Sequence, residues 1–176
     1  MSTKTLTLTA VLTALMCICS PLSIPIGPVP ISLATAVLML MALLLGAGRA
    51  TLCCAVYLLI GMAGLPVFAG FSGGMSVLAG PTGGFLIGYL PMTALCGFLC
   101  ARTDKRSLQT AAMVGGTALL YAIGTVWFIV QTGSTLSGAL GACVLPFLPG
   151  DALKIIAVIT GGSVLKSRLK KAGLLG

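Results

Sequence analysis

The sequence predicts an all-α membrane protein with six transmembrane helices and both termini in the cytoplasm. Of its 176 residues, 58% are hydrophobic and 7% are charged, whereas about a quarter of the residues of a soluble domain are charged. The mean hydropathy is +1.17. A helical span needs roughly 20 apolar residues, so the chain holds about six spans with short connections. We therefore predict a single integral membrane domain over residues 1–176, with no separate soluble domain.

Glycine, proline and charged residues divide the chain into six apolar segments. We predict spans at about 5–22, 31–47, 50–65, 83–101, 108–130 and 149–168, with outer loops at 23–30, 66–82 and 131–148. Within the last loop, Pro146 would break a continuous helix. Pro149 suits the first position of the final helix, where its missing N–H costs nothing.

Basic residues orient this arrangement. Nine of the ten lie before the first span, in alternate connections or in the C-terminal tail: Lys4, Arg49, Arg102, Lys105, Arg106, Lys166, Arg168, Lys170 and Lys171. The three outer loops contain no lysine or arginine. By the positive-inside rule, both termini are therefore expected in the cytoplasm of a multi-pass protein of the cell membrane. The net charge of +8 then reflects membrane orientation rather than a nucleic-acid surface.

Two charges, Asp151 and Lys154, fall at the start of the last predicted span. Residues three apart share one face of a helix, and an ionisable residue inside a membrane indicates a functional site because its burial is costly. Asp151 also lies in the first helical turn, where the helix dipole favours the carboxylate. We therefore take this pair as the centre of a candidate site.

Several function classes are disfavoured by missing residues. The sequence has no G-x-x-x-x-G-K-[ST] motif for ATP, no histidine, and only one acid inside a span, so we expect no enzymatic activity. The seven cysteines lack the paired spacing of metal sites, and we expect no metal or other cofactor. The bulky Met16 before Cys17 argues against lipoprotein-type cleavage, so residues 5–22 are expected to remain as the first span. Energy for transport would come from an ion gradient or from a partner protein.

Two outer segments have the composition of ordered loops. Residues 26–31 are stiffened by prolines, and residues 66–80 are rich in glycine and carry Phe68 and Phe71. Long ordered loops commonly serve as lids, and glycine allows the backbone angles that folding over a ligand requires. A loop that simply lies on the helical bundle is the alternative.

Small residues spaced one turn apart allow helices to approach closely in lipid. Ala10 and Ala14 show this spacing in the first span, as do Gly80, Gly84 and Gly88 near the fourth. For the glycines we favour packing within the bundle. For the alanines, a face toward lipid and a face toward a partner protein are both open.

Four motifs together resemble the BioY family. They are GPVPIS at 27–32, GLPVFAG at 64–70 with SGG at 72–74, GPTGGFLIG at 80–88, and LPFLPGD at 145–151 with Lys154. The resemblance extends from about residue 5 to the C-terminus. It implies a six-helix subunit that captures biotin from the outer side, beneath its loops. A transmembrane coupling subunit and two ATPase subunits would complete transport, and ATP would be used only by those partners.

The resemblance also implies roles for particular residues. Ala10 and Ala14 match the family's A-x-x-x-A element for docking the coupling subunit, and Asp151 and Lys154 match the residues implicated in substrate handling. Some members use an additional Arg and Asn at the substrate, but this chain has no Asn and no Arg in the interior of a predicted span. The substrate carboxylate would therefore depend on Lys154 or on backbone donors.

Biotin has an anionic carboxylate, a urea group and an apolar bicyclic body. Asp151 and Lys154 are only one helical turn apart, so we expect one of them to serve the ligand while pairing with the other. The predicted binding residues are Asp151, Lys154, Tyr89, Phe68, Phe71, Gly73, Gly74, Thr82 and Tyr121, with Trp127 and Gln131 as further wall residues. Bundle packing or an interfacial belt is the alternative for the aromatic residues. The alternative function is a self-sufficient, ion-coupled carrier of a small carboxylate that uses Asp151 as its proton site.

Overall fold

The computed structural model describes residues 3–25 and 29–174 and is almost entirely helical. Its helices are α1 (Thr3–Cys19), α2 (Ala34–Met62), α3 (Met75–Ala79), α4 (Gly83–Ala101), α5 (Arg106–Thr132), α6 (Leu136–Cys143), α7 (Leu148–Ala157) and α8 (Ser163–Lys171). A π-helical turn, Val158–Gly162, joins α7 to α8. Two short antiparallel strands, β1 (Ser23–Ile24) and β2 (Ile31–Ser32), form a hairpin between α1 and α2.

Four helical stretches among the described residues are long and apolar enough to cross a membrane. They are Ala34–Met62, Gly83–Ala101, Arg106–Thr132 and Leu148–Lys171. The apolar helix α1 has 17 residues, which is at the short end of the range for a spanning helix. The final helix begins at Leu148 with Pro149 in its first turn, as expected for a residue that lacks an N–H.

Helix α2 consists of two arms that meet at Gly46, whose φ of 73° and ψ of −178° are not helical. Gly46 and Ala47 lie against Ala101 and Gly97, near the end of α4. The far ends of both arms lie at the opposite end of the bundle, where Thr35 contacts Asp151 and Gly61 lies against Phe68. The chain therefore reverses direction at Gly46. The sequence predicts a tight turn over residues 46–49 between the two spans, and the reversal lies at the first of these residues. Residues 47–49 are already helical, because one glycine with a positive φ suffices for the reversal.

Glycines bring α4 close to α5 and to the second arm of α2. A Cβ atom on Gly84 would lie 2.2 Å from the Cβ of Trp127, and one on Gly88 would lie 2.9 Å from the Cδ1 of Leu120. Bundle packing is thus confirmed for these two glycines. Gly80 instead lies outside α4 and supplies a carbonyl oxygen to Trp127 Nε1.

The predicted outer loops contain more helix than the sequence suggested. Segment 131–148 contains α6, where the Thr135 side chain caps the helix by accepting a hydrogen bond from the Gly138 N–H. The cap signal and the apolar residues that follow it explain the helix, which ends before Pro146. Segment 66–82 contains a 3₁₀ turn (Ala69–Phe71) and α3. Residues 23 and 24 of segment 23–30 form strand β1, and residues 26–28 of its proline-containing motif lie outside the described residues.

We expect Gly97→Ala to destabilise the protein, because the new Cβ would lie 2.6 Å from the backbone nitrogen of Ala47. Overpacking of this kind typically costs about 1–3 kcal/mol. The measurement is the midpoint of thermal unfolding in detergent. Gly115→Ala is the matched control, since its Cβ would meet nothing within 4 Å and alanine favours a helix. Equal midpoints for the two variants would contradict the close approach of α4 to the reversal.

Candidate ligand-binding site

The Asp151 carboxylate is buried at the meeting point of α2, α5 and α7, with a residue exposure of 4%. Its Oδ1 accepts hydrogen bonds from Lys154 Nζ at 2.8 Å and from Thr35 Oγ1 at 3.3 Å. Its Oδ2 accepts from the Tyr121 hydroxyl at 2.6 Å. Both carboxylate oxygens are therefore engaged by the protein itself.

Lys154 forms the salt bridge to Asp151 from the next turn of α7. Its ammonium also donates to Thr35 Oγ1 at 3.1 Å. An ammonium has three N–H donors, and these two bonds account for two of them within the described residues. The side chain is 11% exposed and lines a cavity.

Two neighbouring cavities open at this end of the bundle. The smaller one, about 40 Å³, is lined by the polar group of Asp151, Lys154, Tyr121 and Thr35, together with apolar residues. The larger one, about 220 Å³, is lined by Phe68, Val77, Leu86, Thr82 and others. Both cavities share the lining residues Val29, Pro30, Ser32, Phe85 and Tyr89.

The two cavities differ in chemistry. The smaller contains a charged pair, whereas the larger combines apolar side chains with the hydroxyl-bearing residues Ser32, Ser72 and Thr82. A mainly apolar pocket with a few polar groups is the usual form of a small-molecule site. The arrangement suits an elongated ligand with an apolar body and a polar group at one end.

The model of the BioY family matches residues 1–171. The chain belongs to the BioY family. Among its relatives are proteins named biotin transporter BioY from Thermotoga maritima, 34% identical with 92% of each chain covered, and from Rhizobium etli, 33% identical with 94% of this chain and 95% of the relative covered. These relatives are named as transporters rather than as enzymes, in agreement with the expected non-enzymatic role.

A solved structure shares the fold. It is the 2.1 Å crystal structure of the S-component for biotin from an ECF-type ABC transporter. It matches with a TM-score of 0.86 and 32% identity, over 97% of this chain and 95% of the other. Together with the long apolar helices, this shows that the BioY-family chain is a multi-pass membrane protein.

The structure brings six of the nine predicted binding residues of this BioY-family chain to the cavities. Phe68 and Thr82 line the larger cavity, Tyr89 lines both, and Tyr121, Asp151 and Lys154 line the smaller one. Sequence reasoning missed Thr35, which contacts both members of the ion pair. In the sequence, Thr35 is visible only as a hydroxyl residue near the start of an apolar helix. Other threonines of this chain also lie among apolar residues, so this position alone did not mark it as part of the site.

Phe71, Gly73 and Gly74 line neither cavity, in contrast to the expectation. Phe71 is 65% exposed. Gly73 packs against the Leu65 carbonyl oxygen, which would lie 2.3 Å from an added Cβ, and Gly74 has a φ of +97°. The close approach and the positive φ show that these two glycines determine the backbone path of the loop.

Trp127 and Gln131, which were predicted as wall residues of the site, are not among the lining residues of either cavity. Trp127 Nε1 donates to the Gly80 carbonyl oxygen at 3.0 Å, and Gln131 Nε2 donates to the Ala79 carbonyl oxygen at 2.7 Å. These bonds tie the segment after α3 to α5. The two side chains support the loop from outside the cavities.

Ala10 and Ala14 lie in a separate groove between α1 and the second arm of α2. Both alanines are exposed, and the groove has a volume of about 400 Å³ with mostly apolar lining, including Leu6, Leu52, Val56 and Ile60. None of its lining residues belongs to the two cavities. The structure thus places the predicted docking residues on a different surface from the predicted binding residues.

We expect Tyr121→Phe to destabilise the protein more than Tyr57→Phe. Tyr121 donates to a buried carboxylate, whereas the Tyr57 hydroxyl pairs with the neutral Ser20 hydroxyl at 2.6 Å. Hydrogen bonds to charged groups contribute about 1.5–3 kcal/mol, against about 0.5–1.5 kcal/mol for neutral pairs. Thermal unfolding of both variants in detergent measures the difference, and an equal or reversed order would contradict a supporting role of Tyr121 at Asp151.

Proposed function

We propose that this chain is the biotin-specific substrate-capture subunit of an energy-coupling-factor ABC transporter. The observation that carries the proposal is the pair of neighbouring cavities, one mainly apolar and one lined by the ion pair of Asp151 and Lys154. The names of the relatives support biotin as the substrate. The similarity to the S-component over nearly the whole chain supports the role in the transporter.

Biotin fits the two cavities in one orientation. Its apolar bicyclic body suits the larger cavity, where the hydroxyls of Ser32, Ser72 and Thr82 are candidate partners for the urea group. Its carboxyl group suits the smaller cavity, next to Lys154. Three of the roughly four acceptor positions of the Asp151 carboxylate are occupied by protein donors, which leaves one position at Oδ2. The proposed role of this carboxylate is to orient and neutralise Lys154.

The proposed topology has six spans with both termini in the cytoplasm. The spans are α1, the two arms of α2, α4, α5, and the continuous stretch of α7 and α8. Supporting this, Arg49 and Arg102 lie near the reversal at Gly46, and Lys166 pairs with Asp104 at 3.4 Å beyond the end of α4. These charges lie at the end of the bundle opposite to Asp151. The cavities would then face outward, where the substrate is captured.

The proposed partners are a transmembrane coupling subunit and two ATPase subunits. The groove at Ala10 and Ala14 offers an apolar surface on which small side chains permit close approach of a helix. ATP would be hydrolysed by the ATPase subunits, and the capture subunit itself would need no cofactor.

Titration of the purified chain with labelled biotin in detergent tests the substrate. We expect saturable binding, and we expect Lys154→Met to weaken it roughly 10- to 150-fold, because loss of a charge-assisted hydrogen bond costs about 1.5–3 kcal/mol. Lys166→Met is the matched control, since Lys166 pairs with an exposed aspartate far from the cavities. Absence of saturable binding to the unmodified chain would overturn biotin as the substrate. Normal binding by Lys154→Met would overturn the orientation.

Substitution of Ala14 by Leu tests the docking surface. We expect Ala14→Leu to retain biotin binding but to lose copurification with the coupling module, because the larger side chain fills the groove. Val11→Leu is the matched control, since Val11 is exposed on the same helix and does not line the groove. Equal recovery of the module with both variants would show that docking occurs elsewhere.

A further inference from the structure

A further groove, of about 270 Å³, lies between the first arm of α2 and the stretch from α7 to α8. In this α2–α8 groove, Val37 and Leu40 form one wall and Val158 and Leu165 the other, and every lining residue is apolar or a glycine. Gly161 leaves open space in it, because an added Cβ there would meet nothing within 4 Å. None of its lining residues lines the two cavities, so the groove is separate from the candidate binding site.

The length of the α2–α8 groove is close to the thickness of one membrane leaflet. Its lining residues on the last helical stretch extend from Ala157, at the end of α7, to Leu165 on α8. This distance is about 12 Å along a helix, whereas half of the hydrocarbon core of a bilayer is about 15 Å thick. Asp151 and Lys154 lie nearer the start of the same stretch, on its outer side. In the proposed topology, the groove therefore faces the hydrocarbon of the cytoplasmic leaflet.

Unpaired basic residues begin where the α2–α8 groove ends. Helix α8 contains no acid and four basic residues, which are Lys166, Arg168, Lys170 and Lys171. Arg168 lies three residues after the lining residue Leu165 and therefore continues the same face of the helix. Lys166 pairs with Asp104, one of only two acids in the sequence. The other three basic residues are exposed and, within the described part of the chain, form no salt bridge.

We propose that the α2–α8 groove binds an acyl chain of one anionic phospholipid of the cytoplasmic leaflet, with the headgroup phosphate next to Arg168. The apolar walls suit the acyl chain, and an arginine guanidinium suits a phosphate because it can donate two parallel hydrogen bonds. Basic clusters that directly follow a transmembrane helix favour anionic lipids by about fivefold per residue. The inference rests on the proposed topology and not on the choice of substrate.

Charge favours a lipid over a second copy of this chain as the occupant. The chain has a net charge of +8 and two acids, and both acids are already paired within their own chain. A second copy would therefore bring more positive charge toward Arg168 and its neighbours on α8. An anionic headgroup instead neutralises them.

Native mass spectrometry of the purified chain tests lipid binding. The chain is first reconstituted with equal amounts of phosphatidylglycerol, which is anionic, and phosphatidylcholine, which is zwitterionic, and is then released from detergent in the spectrometer. We expect one retained phospholipid per chain, with phosphatidylglycerol preferred about fivefold or more. Absence of a retained phospholipid, or equal retention of the two lipids, would overturn the inference.

Gly161→Leu tests the groove itself. The larger side chain has room at this position and would occupy the space of the acyl chain, so we expect the retained phospholipid to be lost. Gly115→Leu is the matched control, since Gly115 also has open space around it and lies on α5, outside the groove. Full retention of phospholipid by Gly161→Leu would overturn the inference. A dimer of the unmodified chain that only Gly161→Leu dissociates would assign the groove to a second copy and overturn it as well.

Arg168→Gln tests the position of the headgroup. We expect the preference for phosphatidylglycerol to fall about fivefold, whereas Lys171→Gln, which removes an unpaired cation farther from the groove, should leave the preference nearly unchanged. Equal effects of the two substitutions would indicate diffuse attraction to the whole tail and overturn the assigned site. These exposed positions decide the question if Gly161→Leu does not fold.

Biotin titration separates this inference from the proposed function. Gly161→Leu should bind biotin as the unmodified chain does, because the groove shares no lining residue with the two cavities. Loss of phospholipid with normal biotin binding supports the groove as a separate lipid site. Failure of the unmodified chain to bind biotin would overturn the proposed substrate and leave the lipid site standing.

Discussion

The buried ion pair of Asp151 and Lys154 is the interaction on which the arrangement of this bundle depends. The Asp151 carboxylate is stable in an apolar interior only while its oxygens accept hydrogen bonds. Of its three donors, α7 supplies only Lys154. The first arm of α2 must supply Thr35, and α5 must supply Tyr121. Removal of any one partner leaves polar atoms or a charge without compensation. The pair therefore fixes the relative positions of three helices as well as the polar end of a cavity.

Glycine contacts bring the other helices to distances at which this polar cluster can form. Gly97 allows α4 to contact the reversal between the two arms of α2, while Gly84 and Gly88 let α4 approach α5. Tyr89 lies on the same helix as these glycines and lines both cavities. Close packing of the helices thus holds a buried ion pair at one end of the bundle, whereas exposed charged residues collect at the other end.

Hydropathy and charge were sufficient to predict the long apolar helices and the ion pair, but not α3 and α6, because apolar length and residue spacing are properties of short segments. Pro149 likewise marked the start of the last helix through its own missing N–H. The role of Thr35 could not be predicted, since it depends on the packing of α7 against α2. Thr51 also lies among apolar residues, but its buried hydroxyl has no hydrogen-bond partner among the described residues. Phe71 was predicted as a binding residue but is exposed. An aromatic residue in a glycine-rich loop indicates that the loop is ordered, but it does not indicate the direction in which the ring points.

Helix α5 links the loop over the larger cavity to the ion pair in the smaller one. Trp127 and Gln131 hold the carbonyl oxygens of Gly80 and Ala79, and Tyr121 on the same helix holds Asp151. Tyr121 and Trp127 are six residues apart, or about 9 Å along a helix. One helix therefore carries both the hydrogen bond to the buried carboxylate of the smaller cavity and the two hydrogen bonds to the carbonyl oxygens that precede α4, at the end of the bundle where the larger cavity lies.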